Sequence, residues 1–227
     1  MSLHLTAYVD MVDVNTVLER LEATLLDRLG DVWLLESSRG GRHLGHVTTR
    51  GRRDVTLCSI LPVRVSMREI MRRGNRAAEF GAPERGQWPP WAIRRLMLYQ
   101  VLLHEIGHLQ IVRASSRIKR RFAAEPLADE FAADLRGALY STPFAHGDPV
   151  HNAPSDEELA MLGWWEKLDK ESRARVTLSV VNDQRKPSEL EVELTPDQAS
   201  FLDRVNVRHP RTLLRPRPLR SQRSAHV

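Results

Sequence analysis

Apolar positions along the chain change period several times, and each change marks an element. Val14, Val17, Leu18, Leu21, Leu25 and Leu29 recur at helical spacing, so an amphipathic helix is expected there, capped by Asp13 and stopped by Gly30. Leu3 to Val9 alternates loosely, as a short strand or an extended arm would. Three β-prone runs follow, Asp31 to Glu36, Leu44 to Thr49 and Asp54 to Leu61, with Gly40-Gly41 and Arg50-Gly51-Arg52-Arg53 as turns between them. Ser66 to Asn75 reads as a short helix, and Arg76 to Pro90, rich in Gly, Pro and charge, as a loop over a cleft. Trp91 to Val112 is almost entirely apolar and opens behind Pro89-Pro90, which predicts one buried helix of roughly six turns. Phe122 to Tyr140 predicts a second long helix, with Pro126 near its first turn.

Beyond Tyr140 the pattern weakens. Ser141 to Asp156 carries Pro143, Pro149, Pro154 and Gly147 and reads as a connector. A helix from Ser155 to Asp169, strands at Arg175 to Val181 and Glu189 to Leu194, and a helix capped by Thr195 with Pro196 at its first position complete the expectation. Trp164-Trp165 is expected to pack this piece onto the rest. The fold class is therefore α+β, divided into residues 1–145, a small α+β extension over 146–206, and a disordered basic tail over 207–227.

The buried helix carries the chemistry. His104-Glu105-Ile106-Gly107-His108 is an HExxH sequence, and histidines four apart share one helical face, so both imidazoles can reach a single ion. Glu105 stands about 100° around the helix, where it can address a water beside that ion. Burying an unpaired carboxylate costs several kcal/mol, about enough to demand a compensating charge, and a divalent cation supplies one. Catalytic zinc sites use three protein ligands, so a third must come from elsewhere in the chain. The single cysteine, Cys58, leaves histidine and carboxylate as the donors and is expected to be a buried strand residue.

The second helix offers candidates. Glu125, Ala128, Asp129, Phe131 and Ala132 match, in order, the pattern ExxA(D/N)xFA, in which the chain resembles the gluzincin metallopeptidases and looks closest to the short ImmA/IrrE-like members. The resemblance covers about fifty residues, Trp91 to Tyr140. It implies a zincin-like fold, one Zn²⁺ held by His104, His108 and Glu125, Glu105 as the catalytic base, and Asp129 as a support for a ligand histidine. It also implies that a sheet edge pairs with an extended protein or peptide substrate, such as a transcriptional regulator; Thr56 to Val65 is the expected edge. Glu130 and Asp134 repeat the spacing five residues later. Positions five apart diverge by about 140°, so Glu125 and Glu130 are alternatives, with Glu125 favoured because its register also supplies Phe131-Ala132. Tyr140, His146 and His151 are candidate oxyanion donors.

Composition narrows the setting. The net charge of +5 lies in the tail, where arginines at 208, 211, 215, 217, 220 and 223 outnumber the whole surplus. The remainder is close to neutral, so a nucleic-acid partner is suggested only by that tail; a non-catalytic regulatory protein whose tail contacts DNA or another polyanion is the competing reading. No run approaches the roughly 20 apolar residues of a membrane span and no leader pattern opens the chain, so a cytoplasmic location is expected.

Overall fold

The computed structural model describes residues 8–35, 43–48, 51–58, 76–111, 121–182 and 192–205. The expectations for Leu3 to Ala7, Gly40-Gly41, Ser59 to Val65, Ser66 to Asn75 and the 207–227 tail lie outside the described residues.

Among the described residues helices outnumber strands around a small mixed sheet, an α+β arrangement. Strands β1 (Val32–Leu35), β2 (Gly45–Val47) and β3 (Val55–Cys58) fall within the three predicted runs. Their order is β1-β3-β2: β1 runs parallel to β3 with Val32 opposite Val55, and β2 runs antiparallel with Gly45 opposite Leu57. The expected edge is corrected here, because Thr56 to Cys58 belong to the central strand. All four residues of β3 are buried, which suits a strand covered on both faces. Cys58 is buried at its end, as expected, and its thiol donates to the His43 carbonyl at 3.1 Å.

The N-terminal helix is shorter than its apolar spacing suggests. It splits into α1 (Met11–Leu18) and α2 (Ala23–Leu26). Arg20 turns inward in the gap and donates to the Tyr99 hydroxyl at 2.9 Å and the Leu139 carbonyl at 2.6 Å, a tertiary demand that periodicity does not register. The cap is Asp10 rather than Asp13: Asp13 closes a capping box from the third helical position. Gly30 ends no helix, and its N–H pairs with the Arg53 carbonyl at 3.1 Å.

One continuous helical run forms the centre. It consists of α3 (Pro90–Leu96), a π-helical segment (Met97–Leu102) and α4 (Leu103–Ile111). Every residue from Trp88 to Gly107 is buried, as the apolar pattern requires. The run includes two arginines, and each is neutralised. Arg94 donates through Nε and Nη2 to Asp13 and through Nη1 to Asp148 at 2.6 Å. Arg95 pairs with Glu158 through both Nη atoms and also donates to the Phe80 carbonyl at 2.9 Å.

The second long helix, α5 (Arg121–Ser141), packs along α4. In the loop expected before Pro90, Ala77–Phe80 forms a 3-10 turn. After α5 come α6 (Asp156–Lys167), α7 (Lys170–Asn182) and α8 (Pro196–Arg204). The predicted strand at Arg175 to Val181 is helical, within α7. Alternation of Val176, Leu178 and Val180 satisfies a strand template over so short a stretch, but Val176 and Val180 also stand one helical turn apart and are the pair that buries, while Leu178 is exposed. Residues 192–194, the described end of the other predicted strand, form no strand. The capping box of Thr195 and Gln198, with Pro196 first in α8, is as expected.

The C-terminal helices share the main core. Trp165 is fully buried, meets Trp91 edge-on at 5.8 Å and donates to the Gln87 carbonyl at 2.8 Å; Phe201 also meets Trp91 edge-on, at 5.2 Å. No described helix is long and apolar enough to cross a membrane.

The Asp13–Arg94 pair ties α1 to the central run and generates a test. Burial alone would raise the Asp13 pKa, but the Arg94 guanidinium and the hydrogen bond to His151 hold it well below the usual carboxylate range. A depressed folded-state value means stabilisation that is full above the unfolded pKa of about 3.9 and is lost as pH falls through the folded value. Asp13→Asn is expected to cost about 3–5 kcal/mol at neutral pH, because Arg94 keeps a buried charge with one carboxylate fewer. Urea midpoints should show that penalty shrinking as pH drops below about 4.

Candidate metal centre

Three side chains from two helices converge on one point. His104 and His108 lie one turn apart on α4, and their Nε2 atoms are 3.1 Å apart with ring planes nearly perpendicular. Glu125 reaches over from α5, one carboxylate oxygen 3.3 Å from His104 Nε2 and the other 3.4 Å from His108 Nε2. The ring atoms are largely buried, whereas the Glu125 side chain is half exposed.

The donor set fits a small divalent cation. A tetrahedral zinc with bonds of about 2.0–2.1 Å separates its ligand atoms by roughly 3.3–3.4 Å, close to the 3.1 Å between the two Nε2 atoms and the 3.3 and 3.4 Å from them to the two Glu125 oxygens. The chemistry points the same way. Asp129 Oδ1 lies 2.7 Å from His104 Nδ1, and a carboxylate only accepts, so that nitrogen carries a proton and Nε2 is the ring atom that faces His108 and Glu125. Burial would make His104 less basic, but the Asp129 hydrogen bond and the charges of Glu105, Asp129 and Glu125 outweigh it and hold its pKa above the ordinary histidine value. Electron-rich atoms packed this closely call for a shared positive charge.

Small residues make the approach of the helices permissible. Gly107 faces Phe131, and a Cβ there would come within 2.9 Å of the Phe131 ring. Ala128 and Ala132, both fully buried, lie on the stripe of α5 that also bears Glu125 and Asp129. The Phe and Ala positions of the sequence pattern thus have packing roles: they set how close α5 comes, and so where its carboxylates arrive. On the other side of α4, a Cβ on Gly45 of β2 would meet Val101 at 2.8 Å and Glu105 Cγ at 3.2 Å. β2 therefore lies directly against Glu105, which is itself buried.

Of the sequence candidates, His104, His108, Glu125 and Asp129 are brought together, with Glu105 on the adjoining face. Glu130 is exposed and outside the cluster, as expected for a residue about 140° from Glu125. Tyr140, His146 and His151 gather elsewhere. His151 is buried with Nδ1 3.2 Å from the Tyr99 hydroxyl and Nε2 3.5 Å from Asp13. His146 is exposed, stacks on Phe144 and accepts from the Asp148 N–H at 3.1 Å. Tyr140 packs against Tyr99 at 5.2 Å, its hydroxyl buried and lacking a hydrogen-bond partner among the described residues. None of the three is in the His104–His108–Glu125 cluster: His151 joins Tyr99 and Asp13, His146 joins Phe144 and Asp148, and Tyr140 packs on Tyr99. Asp13, Asp148 and His151 also converge, but Arg94 already supplies the positive charge there.

Sequence reasoning missed Gln100 and Arg136. Gln100 Nε2 lies 3.3 Å from Asp129 Oδ1, and Arg136 donates to Gln100 Oε1. Their signal was available: Gln100 precedes His104 by four and Arg136 follows Asp129 by seven, both on the facing stripes of their helices.

Comparison of the chain with protein-family models, with curated proteins and with solved structures finds no match.

The close helix contact at Gly107 can be checked directly. Gly107→Val should destabilise the fold by about 1–3 kcal/mol through overpacking against Phe131. Chemical unfolding of the variant beside the parent chain measures it; an unchanged midpoint would show that α5 does not sit this close.

Proposed function

We propose that the chain is a zinc-dependent peptide hydrolase with a zincin-like fold, in which His104, His108 and Glu125 hold one ion and Glu105 is the catalytic base. The observation that carries this reading is the triangle of His104 Nε2, His108 Nε2 and the Glu125 carboxylate, with Asp129 behind His104. When bound, Zn²⁺ supplies Lewis-acid polarisation of a carbonyl and lowers the pKa of water toward about 7. Glu105 accepts the proton of the attacking water at its carboxylate and returns it to the departing amine nitrogen, so one group serves as base and then acid. Asp129 keeps the His104 ring in the tautomer and orientation that present Nε2 to the site.

The resemblance to gluzincins extends this to an extended protein segment as substrate. β2 is the strand to which such a segment would add, because it lies against Glu105 through Gly45 and, among the described residues, pairs on one side only. A substrate strand there would run beside the base.

Metal analysis of the purified protein and its variants tests the ligand set. One equivalent of zinc is expected in the parent chain and in Glu130→Ala, and much less in His104→Ala and Glu125→Ala. Glu105→Gln should keep its zinc yet cut peptides from a diverse library about 10²–10⁴-fold more slowly, read by mass spectrometry of new termini. A parent chain that takes up no zinc, or a Glu105→Gln protein with full turnover, would sink the proposal.

A further inference from the structure

We propose that Gly45 and Val47 are the residues of β2 that grip a substrate, through main-chain groups alone, so that the chain takes extended segments of varied side-chain sequence but demands a free N–H at two alternate positions near the cut bond. The position of the cut rests on the hydrolase reading, whereas the direction of the main-chain groups stands by itself.

The register of the sheet carries the argument. In an antiparallel ladder, residues that exchange both hydrogen bonds with the neighbouring strand alternate with residues whose N–H and C=O point the other way. Gly45, His46 and Val47 lie opposite Leu57, Thr56 and Val55. Just outside these pairs the Cys58 N–H donates to the Leu44 carbonyl at 2.8 Å, and the Thr48 N–H to the Asp54 carbonyl at 2.9 Å. Leu44 and Thr48 therefore turn their main-chain groups toward β3, and by the alternation so does His46. Gly45 and Val47 turn theirs away, onto the outer edge of β2, which pairs with no strand among the described residues.

The pleat puts that edge beside the base. Gly45 and Val47 face the core: a Cβ on Gly45 would lie 3.2 Å from Glu105 Cγ, and Val47 packs among the apolar side chains, whereas His46 is exposed on the other face. Gly45 thus brings its outward main-chain groups to the strand position that touches Glu105. An edge as short as Gly45–Val47 is a device by which folded chains avoid pairing with their own copies, so a flexible segment suits it better than a second sheet. Whichever way such a segment runs, the donors it offers to Gly45 and Val47 are two residues apart, because strands repeat every second residue. The residue between them turns its N–H to solvent. Proline should be accepted there and refused at both neighbours.

Amide exchange followed by proton–nitrogen NMR tests the edge directly. In the parent chain Gly45 and Val47 should exchange at least about 10-fold faster than His46 and Thr48. Main-chain pairing is tolerant of sequence, so the pooled peptide library is itself the probe: added to the Glu105→Gln protein, it should slow exchange at Gly45 and Val47 and leave His46 unchanged. Among the peptides that the parent chain cuts, proline should be missing at two positions separated by one where it is kept. Val47→Pro, whose lost N–H serves no bond to β3, should keep its zinc and a urea midpoint near the parent's yet bind the pool about 10-fold more weakly. Thr48→Pro removes the donor to Asp54 and should lower the midpoint instead. Should Val47→Pro fail to fold, exchange and the proline profile of the parent chain decide. Uniform exchange along β2, no protection from the pool, protection that grows with protein concentration alone, or proline accepted at every position overturns the proposal. A parent chain that takes up no zinc and cuts nothing defeats the hydrolase reading by itself, and exchange in the presence of the pool still decides the grip.

Discussion

Burial of the central helical run is the constraint from which the rest follows. From Trp88 to Gly107 no residue is exposed, yet the run carries two arginines, a glutamine, a histidine and a glutamate. A charge or amide taken out of water must meet a partner or lose several kcal/mol, to order of magnitude. Much of the tertiary structure can be understood as the supply of those partners. α1 brings Asp13 to Arg94, α6 brings Glu158 to Arg95, and α5 brings Asp129 and Arg136 to Gln100 and His104. The long-range polar contacts are thus concentrated on one element, with the sheet and the C-terminal helices arranged around it.

The same helix divides its polar residues by face. Arg94 and Tyr99 look toward Asp13, Asp148, His151 and Arg20, a network that ends in neutralised charge and holds the N-terminal helix in place. Gln100, His104 and His108 look toward α5, where the arrangement ends in a triangle of two Nε2 atoms and the Glu125 carboxylate instead. That difference separates a structural network from a site. Arg94 fills the first with a positive charge, whereas the second gathers two ring nitrogens and a carboxylate.

Close approach is the second requirement, and small residues meet it. Gly107 admits Phe131, Ala128 and Ala132 flatten the facing stripe of α5, and Gly45 admits β2 against Glu105. The positions that look least chemical in the HExxH and ExxAD segments therefore decide how far His104, His108 and Glu125 lie from one another. A triangle with edges of 3.1, 3.3 and 3.4 Å tolerates little displacement of either helix.

The sequence alone determined what depends on local spacing. Two histidines four apart and an unbroken apolar run repeat with the helix itself, so His104 and His108 could be chosen from spacing, whereas Glu125 and Asp129 were favoured by their match to an eight-residue pattern, with Glu130 kept as the alternative. Thr195 and Pro196 were legible for the same reason, since a cap is a contact within one turn. Tertiary structure decided what depends on partners distant in the chain. The apolar spacing from Val14 to Leu29 could not show that Arg20 would be drawn inward, and alternation over Arg175 to Val181 could not say which valines would meet the core. The strand assigned to the sheet edge became its centre because pairing with β1 and β2 is nonlocal. His151, set in a Pro/Gly connector, was drawn beneath Tyr99 and Asp13, and Arg136 joined His104 through two intermediaries. Spacing specifies direction within an element, whereas the partner a side chain meets depends on where a second element comes to rest, and that is set by packing of the whole core.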